Sequence, residues 1–306
     1  MSVLVCVTGR NNDKLLAELS AQLPNVKISE WPHCENLAEI EFVLAWKAPE
    51  TIWAQLPNLQ VVQSYGAGVD AIDLSIIPEH VQVTRIVDTQ LAEDMAEYVL
   101  AHILTHKLRI KEYLVKQQKG QWKPKRAHAT QNVGILGMGE LGLNVANKLI
   151  SNNFKVSGWS RSEKQLKHIK HFHGEAQLSD FLKELDVLVC LLPLTSDTEE
   201  ILNLEVFKQL PDHCLLINVA RGKHLNESDL LVALEQDELA AAVLDVFTEE
   251  PLPKMHSFWS HPKITITPHC AALTQLKTVC EQIAENVKAQ QANRRLNNLV
   301  CKQKGY

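Results

Sequence analysis

Along the chain, short runs that are apolar on nearly every residue alternate with longer stretches in which apolar positions recur every three or four residues. The first series of runs is VLVCV (3 to 7), VKISEW (26 to 31), FVLAW (42 to 46), LQVVQS (59 to 64) and VQVTRI (81 to 86). The second is NVGILG (132 to 137), KVSGWS (155 to 160), DVLVCLL (186 to 192), CLLINVA (214 to 220), AAAVLDVF (240 to 247) and KITITPH (263 to 269). Runs without polar alternation mark strands covered on both faces, and the intervening stretches are helix-length. The pattern therefore predicts an α/β protein with doubly wound parallel sheets.

Two series predict two lobes. Between them, residues 92 to 122 read as one long helix with Met95, Val99, Ile103, His106 and Ile110 in a single stripe. A second helical stretch, 273 to 295, is expected to pack back on the first lobe and make it discontinuous in sequence. The run KHIKHFH (167 to 173) reads as a solvated face, with His171 and His173 at the surface.

Composition changes this picture little. Of 306 residues, 45% are hydrophobic and 22% charged, ordinary for a globular protein with room for two modest domains. A net charge of -5 gives no reason to expect nucleic acid or an anionic membrane as partner. The first apolar run is too short for a membrane span and lacks the flanks of a signal peptide. The 7 cysteines show no CxxC spacing, so neither a disulfide framework nor a zinc site is expected, and a reducing cytoplasm is the natural compartment. No metal site is expected.

The chemistry enters with VGILGMGELGLNVANKLI (133 to 150). Gly137, Gly139 and Gly142 stand in GxGxxG spacing between an apolar strand and an amphipathic helix. In that setting the first glycine makes the tight turn, the second lets a pyrophosphate approach the backbone, and the third allows close helix–strand packing. About twenty residues on, where an NAD site carries an acid for the ribose hydroxyls, the chain offers Ser160, Arg161 and Ser162. Hydroxyls and a guanidinium suit a 2′-phosphate, which predicts NADPH as cofactor with NADH weaker, by about ten- to hundredfold for one charge-assisted contact.

Three further segments place polar residues at strand ends, where α/β folds bind ligands. INVARG puts Arg221 beyond one strand, LDVFTEEPLP puts Asp245 within another and Glu250 after it, and HPKITITPH ends at His269.

Taken in order, GMGELG, NVARG, LDVFTEEPLP and HPKITITPHCAA resemble the D-isomer specific 2-hydroxyacid dehydrogenases over nearly the whole chain. LAWKAP, SYGAGVDAI, RIVD, QWKP, WSRS and the terminal KGY narrow the resemblance to the glyoxylate/hydroxypyruvate reductase branch of the bacterial A type. The resemblance implies a Rossmann nucleotide-binding domain (92 to 272) and a flavodoxin-like substrate domain (1 to 91 with 273 to 306), with a cleft between them. It implies Arg221 as the clamp on the substrate carboxylate and keto oxygen, His269 as acid/base and Glu250 as its partner. Glu140, Leu141, Leu192, Pro193, Thr195, Val219, Ala220 and Asp245 are the further cofactor-binding positions that it implies. Trp46, Ala67, Gly68 and Val69 are the substrate-binding ones, with Arg85 as an added positive charge. Small residues in YGAGVD expose amides to an anion, a physical reason for that loop.

Physical chemistry agrees with these roles. A guanidinium grips a carboxylate in bidentate fashion. An imidazole titrates near ~6.5 when unperturbed and can give a proton to a nascent alkoxide, while a carboxylate on its other nitrogen orients it. The expected reaction is NADPH-dependent reduction of glyoxylate to glycolate and of hydroxypyruvate to D-glycerate, in a cytoplasmic homodimer. The alternatives are a reductase of a bulkier 2-keto acid, such as phenylpyruvate, and a nucleotide-sensing regulator on the same fold. Two departures from the family pattern are Cys270 directly after His269, and SNNF (151 to 154) where a glycine precedes the aromatic. Asn there remains compatible with a left-handed turn.

Overall fold

The structure, a computed structural model, describes residues 2–303 and 305. Met1 and two residues of the terminal KGY motif, Lys304 and Tyr306, lie outside the described residues. The chain divides into two compact units, Met1–Thr89 with Thr274–Tyr306, and Gln90–Leu273.

In the first unit, β1 (Ser2–Val7), α1 (Asp13–Gln22), β2 (Lys27–Glu30), β3 (Ile40–Trp46), β4 (Val61–Ser64) and β5 (Gln82–Thr84) follow in sequence. The strands form a parallel sheet in the order β2-β1-β3-β4-β5, the flavodoxin-like order. Alternate residues of β1 point to opposite faces. Val3 and Val5 join a core with Leu15 and Leu19 of α1, and with Val279, Ile283 and Val287 of the C-terminal helix Leu276–Gln291. Leu4 and Cys6 join a second core on the other face. Burial on both faces explains why β1 is apolar at every position after Ser2.

The second unit opens with α2 (Thr89–Lys107) and α3 (Ile110–Gln118). Here the expectation of one long helix is corrected. The helix stops at Lys107, and Arg109 takes a left-handed backbone (φ 59°) before α3 begins. Met95, Val99 and Ile103 are buried in the core, but Ile110 is exposed, so the stripe ends where the helix does.

There follow β6 (Asn132–Leu136), α4 (Glu140–Ser151), β7 (Lys155–Ser160), β8 (Lys170–His173), α5 (Leu178–Leu182), β9 (Val187–Cys190), α6 (Leu204–Phe207), β10 (Leu215–Asn218), α7 (Glu227–Glu235), β11 (Ala241–Leu244) and β12 (Ile264–Ile266). All pair in parallel, in the order β12-β11-β10-β9-β6-β7-β8. The order reverses between β6 and β9, and that switch point is where doubly wound sheets bind nucleotides.

The segment read as a solvated face is the edge strand β8, and His171 and His173 are half-buried on it. Its charged residues are those of an edge strand, which meets water on one side. At the end of α4, Asn153 takes the left-handed conformation (φ 65°) that lets SNNF do the work of a glycine turn.

Candidate active site

The glycine-rich turn joins β6 to α4. Gly137 has φ 102°, a conformation that L side chains rarely adopt, and a Cβ on it would meet the Leu191 carbonyl oxygen at 2.6 Å. A Cβ on Gly142 would lie 1.9 Å from the Gly137 carbonyl oxygen, so the helix can sit this close only with glycine there. Gly139 differs: nothing lies within 4 Å of where its Cβ would be. The open space stands at the N-terminus of α4, whose first amides have no intrahelical acceptor. Such a cradle fits a pyrophosphate. Glu140 is exposed and Leu141 half-buried at its rim.

At the end of β7, Ser160 is buried, and its hydroxyl pairs with His171 Nε2 at 2.8 Å and donates to the Ser162 carbonyl at 2.9 Å. Burial first, then the charges of His173 and Lys164, hold His171 below the ordinary histidine value, so it braces Ser160 as a neutral ring. Arg161 is half-exposed, with one guanidinium nitrogen 3.5 Å from Asp197. Lys164 Nζ donates to the Met138 carbonyl in the glycine turn at 2.7 Å. From the sequence, Lys164 has no assigned role and His171 is expected at the surface. The closeness of SRSEK to a basic, His-bearing edge strand is the signal that marks them.

The loop after β9 carries Leu192, Pro193 and Thr195. Leu192 is buried in the core, while Pro193 and Thr195 are half-buried. The Thr198 hydroxyl donates to the Pro193 carbonyl at 2.8 Å and lies 2.9 Å from the Thr195 amide, which donates to it. Val219 and Ala220 point their side chains into the two cores of the unit, so only their backbone faces the turn that follows β10.

That turn holds Arg221 by its main chain. The Asn218 side-chain amide donates to the Arg221 carbonyl at 3.0 Å, and the Arg221 amide donates to His224 Nδ1 at 3.2 Å. Gly222 packs against the next loop: a Cβ on it would stand 1.9 Å from the Phe247 carbonyl carbon and 2.3 Å from the Thr248 nitrogen. Backbone cannot rotate away as a side chain can. Gly222→Ala is therefore expected to force apart the segments carrying Arg221 and Glu250, costing about 1–3 kcal/mol of stability. A thermal melt checks this, and an unchanged midpoint would contradict the packing described.

Glu250 and His269 meet directly. Glu250 Oε1 accepts from the Phe247 amide at 3.0 Å, and Oε2 lies 2.8 Å from His269 Nδ1. Burial raises the Glu250 carboxyl. The His269 hydrogen bond, the Phe247 amide and the charges of His269 and Arg221 outweigh it and leave the carboxyl below the ordinary glutamate value. Glu250 is thus a carboxylate that only accepts, so the hydrogen sits on His269 Nδ1 and leaves Nε2 for chemistry. His269 is 47% exposed at its side chain and has a left-handed backbone (φ 52°). Its own amide fixes the turn by donating to the Asp245 carbonyl at 2.8 Å.

Asp245, 1% exposed, takes three donors from the same segment. Thr267 Oγ1 and the Cys270 amide donate to Oδ1 at 2.5 and 2.9 Å, and the Ala271 amide donates to Oδ2 at 2.9 Å. Tyr98 Oη lies 2.5 Å from Thr267 Oγ1. Asp245, expected from the sequence to contact the cofactor, has a carboxylate that braces the turn presenting His269. Cys270 is exposed, and slight burial followed by the Asp245 charge raises its thiol pKa, disfavouring the reactive thiolate.

In the first unit, the Trp46 ring lies against Gly66, whose Cβ would stand 2.7 Å from it. The carbonyls of the following loop turn inward. Gly66 accepts from the Ile86 amide at 3.0 Å, Ala67 from the Arg85 guanidinium at 3.3 Å, and Gly68 from the Ser64 hydroxyl at 2.6 Å. Among the described residues no acceptor pairs with the amides of Ala67, Gly68 and Val69, as an anion-binding loop requires. Arg85 thus serves the loop as a brace.

Comparison with known proteins agrees with this architecture. Residues 100–271 match the family profile of the D-isomer specific 2-hydroxyacid dehydrogenase, NAD binding domain. The chain is 41% identical over 304 residues to glyoxylate/hydroxypyruvate reductase A of Serratia proteamaculans, covering 97% of each. It is 40% identical over 299 residues to the protein of that name from Yersinia enterocolitica, covering 95% of each. Among solved structures, a D-isomer specific 2-hydroxyacid dehydrogenase from Xanthobacter autotrophicus in complex with NADPH and MES superposes with a TM-score of 0.92. It is 33% identical, over 100% of this chain and 99% of that one. An NADPH-dependent glyoxylate/hydroxypyruvate reductase from Sinorhizobium meliloti, in complex with NADP and sulfate, gives 0.91 at 32% identity with the same coverage. The chain belongs to the D-isomer specific 2-hydroxyacid dehydrogenase family.

Proposed function

We propose that the protein is an NADPH-dependent reductase of small 2-keto acids, converting glyoxylate to glycolate and hydroxypyruvate to D-glycerate. The observation that carries the reading is the His269–Glu250 pair at 2.8 Å in a site whose Glu250 also feels the charge of Arg221. Relatives of nearly equal length that bear the reductase name support the choice of substrate.

The bound nicotinamide supplies the hydride. The protein's residues do the rest. Arg221 holds the substrate carboxylate and draws electron density from the keto oxygen. As negative charge gathers on that oxygen, the doubly protonated His269 delivers its Nε2 proton and retains the Nδ1 hydrogen on Glu250. Glu250 stabilises the imidazolium before transfer and fixes the ring during it. In the first unit, the amides of Ala67, Gly68 and Val69 are assigned to the substrate carboxylate and Trp46 to the wall beside them. The units are accordingly assigned as a substrate domain and a nucleotide-binding domain.

For the cofactor, the cradle at Gly139 takes the pyrophosphate, with Glu140 and Leu141 at its rim. Leu192, Pro193, Thr195 and the backbone of Val219 and Ala220 would make further cofactor contacts, with Asp245 near the nicotinamide. Ser160, Arg161 and Ser162 take the 2′-phosphate. Arg161 lies 3.5 Å from the exposed Asp197 carboxylate, and exposed pairs of that kind exchange at little cost. The test is a panel of 2-keto acids with NADPH and with NADH, run on the wild type and on Arg161→Ala. The wild type is expected to turn over glyoxylate and hydroxypyruvate fastest and to prefer NADPH. Arg161→Ala is expected to lose about ten- to hundredfold of that preference. Faster turnover of phenylpyruvate would favour the bulky-substrate reading, and no turnover at all would favour a nucleotide-sensing regulator.

We also infer a homodimer. Leu108, Ile110, Leu114, Val115 and Trp122 are exposed around α3 and the segment after it, Trp122 to 97%. A run of exposed apolar side chains of this kind marks an interaction surface. Sedimentation velocity is expected to give a dimer, and a monomer at every concentration would refute the inference. Cysteines that are all free fit a reducing cytoplasm.

A further inference from the structure

His224 takes no part in the reaction described above, yet it is completely buried (0% exposed) and uses both ring nitrogens. Its Nδ1 lies 3.2 Å from both the amide nitrogen and the carbonyl oxygen of Arg221, and its Nε2 lies 3.3 Å from the Pro193 carbonyl oxygen. With the ring hydrogen on Nε2, that nitrogen donates to Pro193 and Nδ1 accepts from the Arg221 amide. One imidazole thereby spans two loops that follow different strands, β9 and β10.

Each end of the span continues into a stiff segment. Beyond Pro193, the Thr198 hydroxyl donates to the same carbonyl that His224 reaches and accepts from the Thr195 amide. Beyond Arg221, Asn218 holds the carbonyl of the residue whose amide His224 holds. The His224 backbone is also pinned, its carbonyl accepting from the Leu202 amide at 2.9 Å. A displacement of the Pro193 loop must move the ring or leave a buried nitrogen unpaired, and moving the ring moves the Arg221 amide.

We propose that His224 is a positioning residue that couples the Pro193–Thr198 loop to Arg221, so that nucleotide binding raises the protein's affinity for the acid substrate. The proposal rests on the reading that the loop binds the nucleotide and Arg221 binds the keto acid. Coupling of this kind is reciprocal: the acid raises nucleotide affinity by the same factor.

The test measures binding rather than turnover. Oxalate, a two-carbon dianion with the outline of glyoxylate, is titrated calorimetrically into the protein with and without saturating NADP. In the wild type, NADP is expected to tighten oxalate binding by about five- to hundredfold, the usual span of such coupling. Two variants divide the imidazole. In His224→Asn the amide oxygen stands near the Nδ1 position, keeping the Arg221 contact without reaching Pro193. In His224→Gln the amide nitrogen reaches Pro193 without offering an acceptor to Arg221. His224→Asn is expected to keep the oxalate affinity of the nucleotide-free protein and lose the enhancement. His224→Gln is expected to keep NADP affinity, weaken oxalate and lose the enhancement too.

A merely structural histidine would lower the melting temperature of both variants and leave the enhancement intact, and that result overturns the proposal. A wild type that binds both ligands with no enhancement overturns it as well, while leaving the functional reading standing. A wild type that binds neither NADP nor oxalate overturns both.

Discussion

His269→Gln is expected to lower kcat by about a hundred- to ten-thousandfold while leaving NADPH affinity and the melting temperature close to wild type. Glutamine fills a similar volume and can still donate to Glu250, but it cannot release a proton to a forming alkoxide. The loss falls on kcat because the proton moves in the transition state and not on binding. The ring is also not a support for the fold. It is 47% exposed, and the turn that carries it is held by its backbone amide on the Asp245 carbonyl and by the Asp245 carboxylate on Thr267, Cys270 and Ala271. Glu250→Gln isolates the partner's share: it removes the charge facing the imidazolium and keeps the contact. Its kcat should fall below wild type, since the charged ring loses the carboxylate that stabilises it. Stopped-flow and steady-state rates with hydroxypyruvate check both variants, and a His269→Gln enzyme with wild-type kcat would remove His269 from the reaction.

Arg221→Gln is expected to lower kcat/KM by roughly thirty- to several-thousandfold, the span that follows from losing one partner of a desolvated charge pair worth about 2–5 kcal/mol. KM for the keto acid rises because the carboxylate loses its fork. kcat falls too, because the same guanidinium polarises the keto oxygen. Arg221→Lys should recover part of the loss at most, since an ammonium restores charge without the planar pair of donors. There is also a consequence at a distance. The Arg221 charge is one of the influences holding the Glu250 carboxyl below the ordinary glutamate value, so its removal lets that carboxyl rise. Glu250 then protonates, and its support for the imidazolium is lost, at a higher pH than in the wild type. The acid-side fall in activity that reports Glu250 moves upward in Arg221→Gln. A fall at an unchanged pH would mean that the two residues do not interact as described.

Much of this architecture is legible in the amino-acid order. Continuous apolar runs such as residues 187 to 190 are buried on both faces because Val187 and Val189 enter one core and Leu188 and Cys190 the other. That double burial is what the run records. GxGxxG is legible because Gly137 and Gly142 answer steric demands, most severely at Gly142, while Gly139 leaves the cradle open. The break between α2 and α3 is not legible. The three-and-four spacing runs on through Ile110, and a left-handed Arg109 leaves no glycine or proline to mark the stop. Strand β8 was hidden by its charge, which an edge strand tolerates. Among site residues, those at the end of a run announced themselves, as Arg221 and His269 did. Those whose part depends on contacts across the fold did not. Asp245 shows its role only when Thr267, Cys270 and Ala271 arrive from 22 to 26 residues further on. His224 shows its role only when Pro193, 31 residues earlier, comes to its ring.

The central claim is that this site passes a hydride from NADPH to the keto carbon of a small acid and a proton to its oxygen. Its most direct test is to incubate the wild-type protein with hydroxypyruvate and NADPH deuterated at both C4 positions of the nicotinamide. The glycerate formed is then analysed by mass and by chirality. The prediction is D-glycerate carrying one deuterium at C2, formed in step with NADPH consumption. No NADPH consumption, or glycerate without the label, would contradict it.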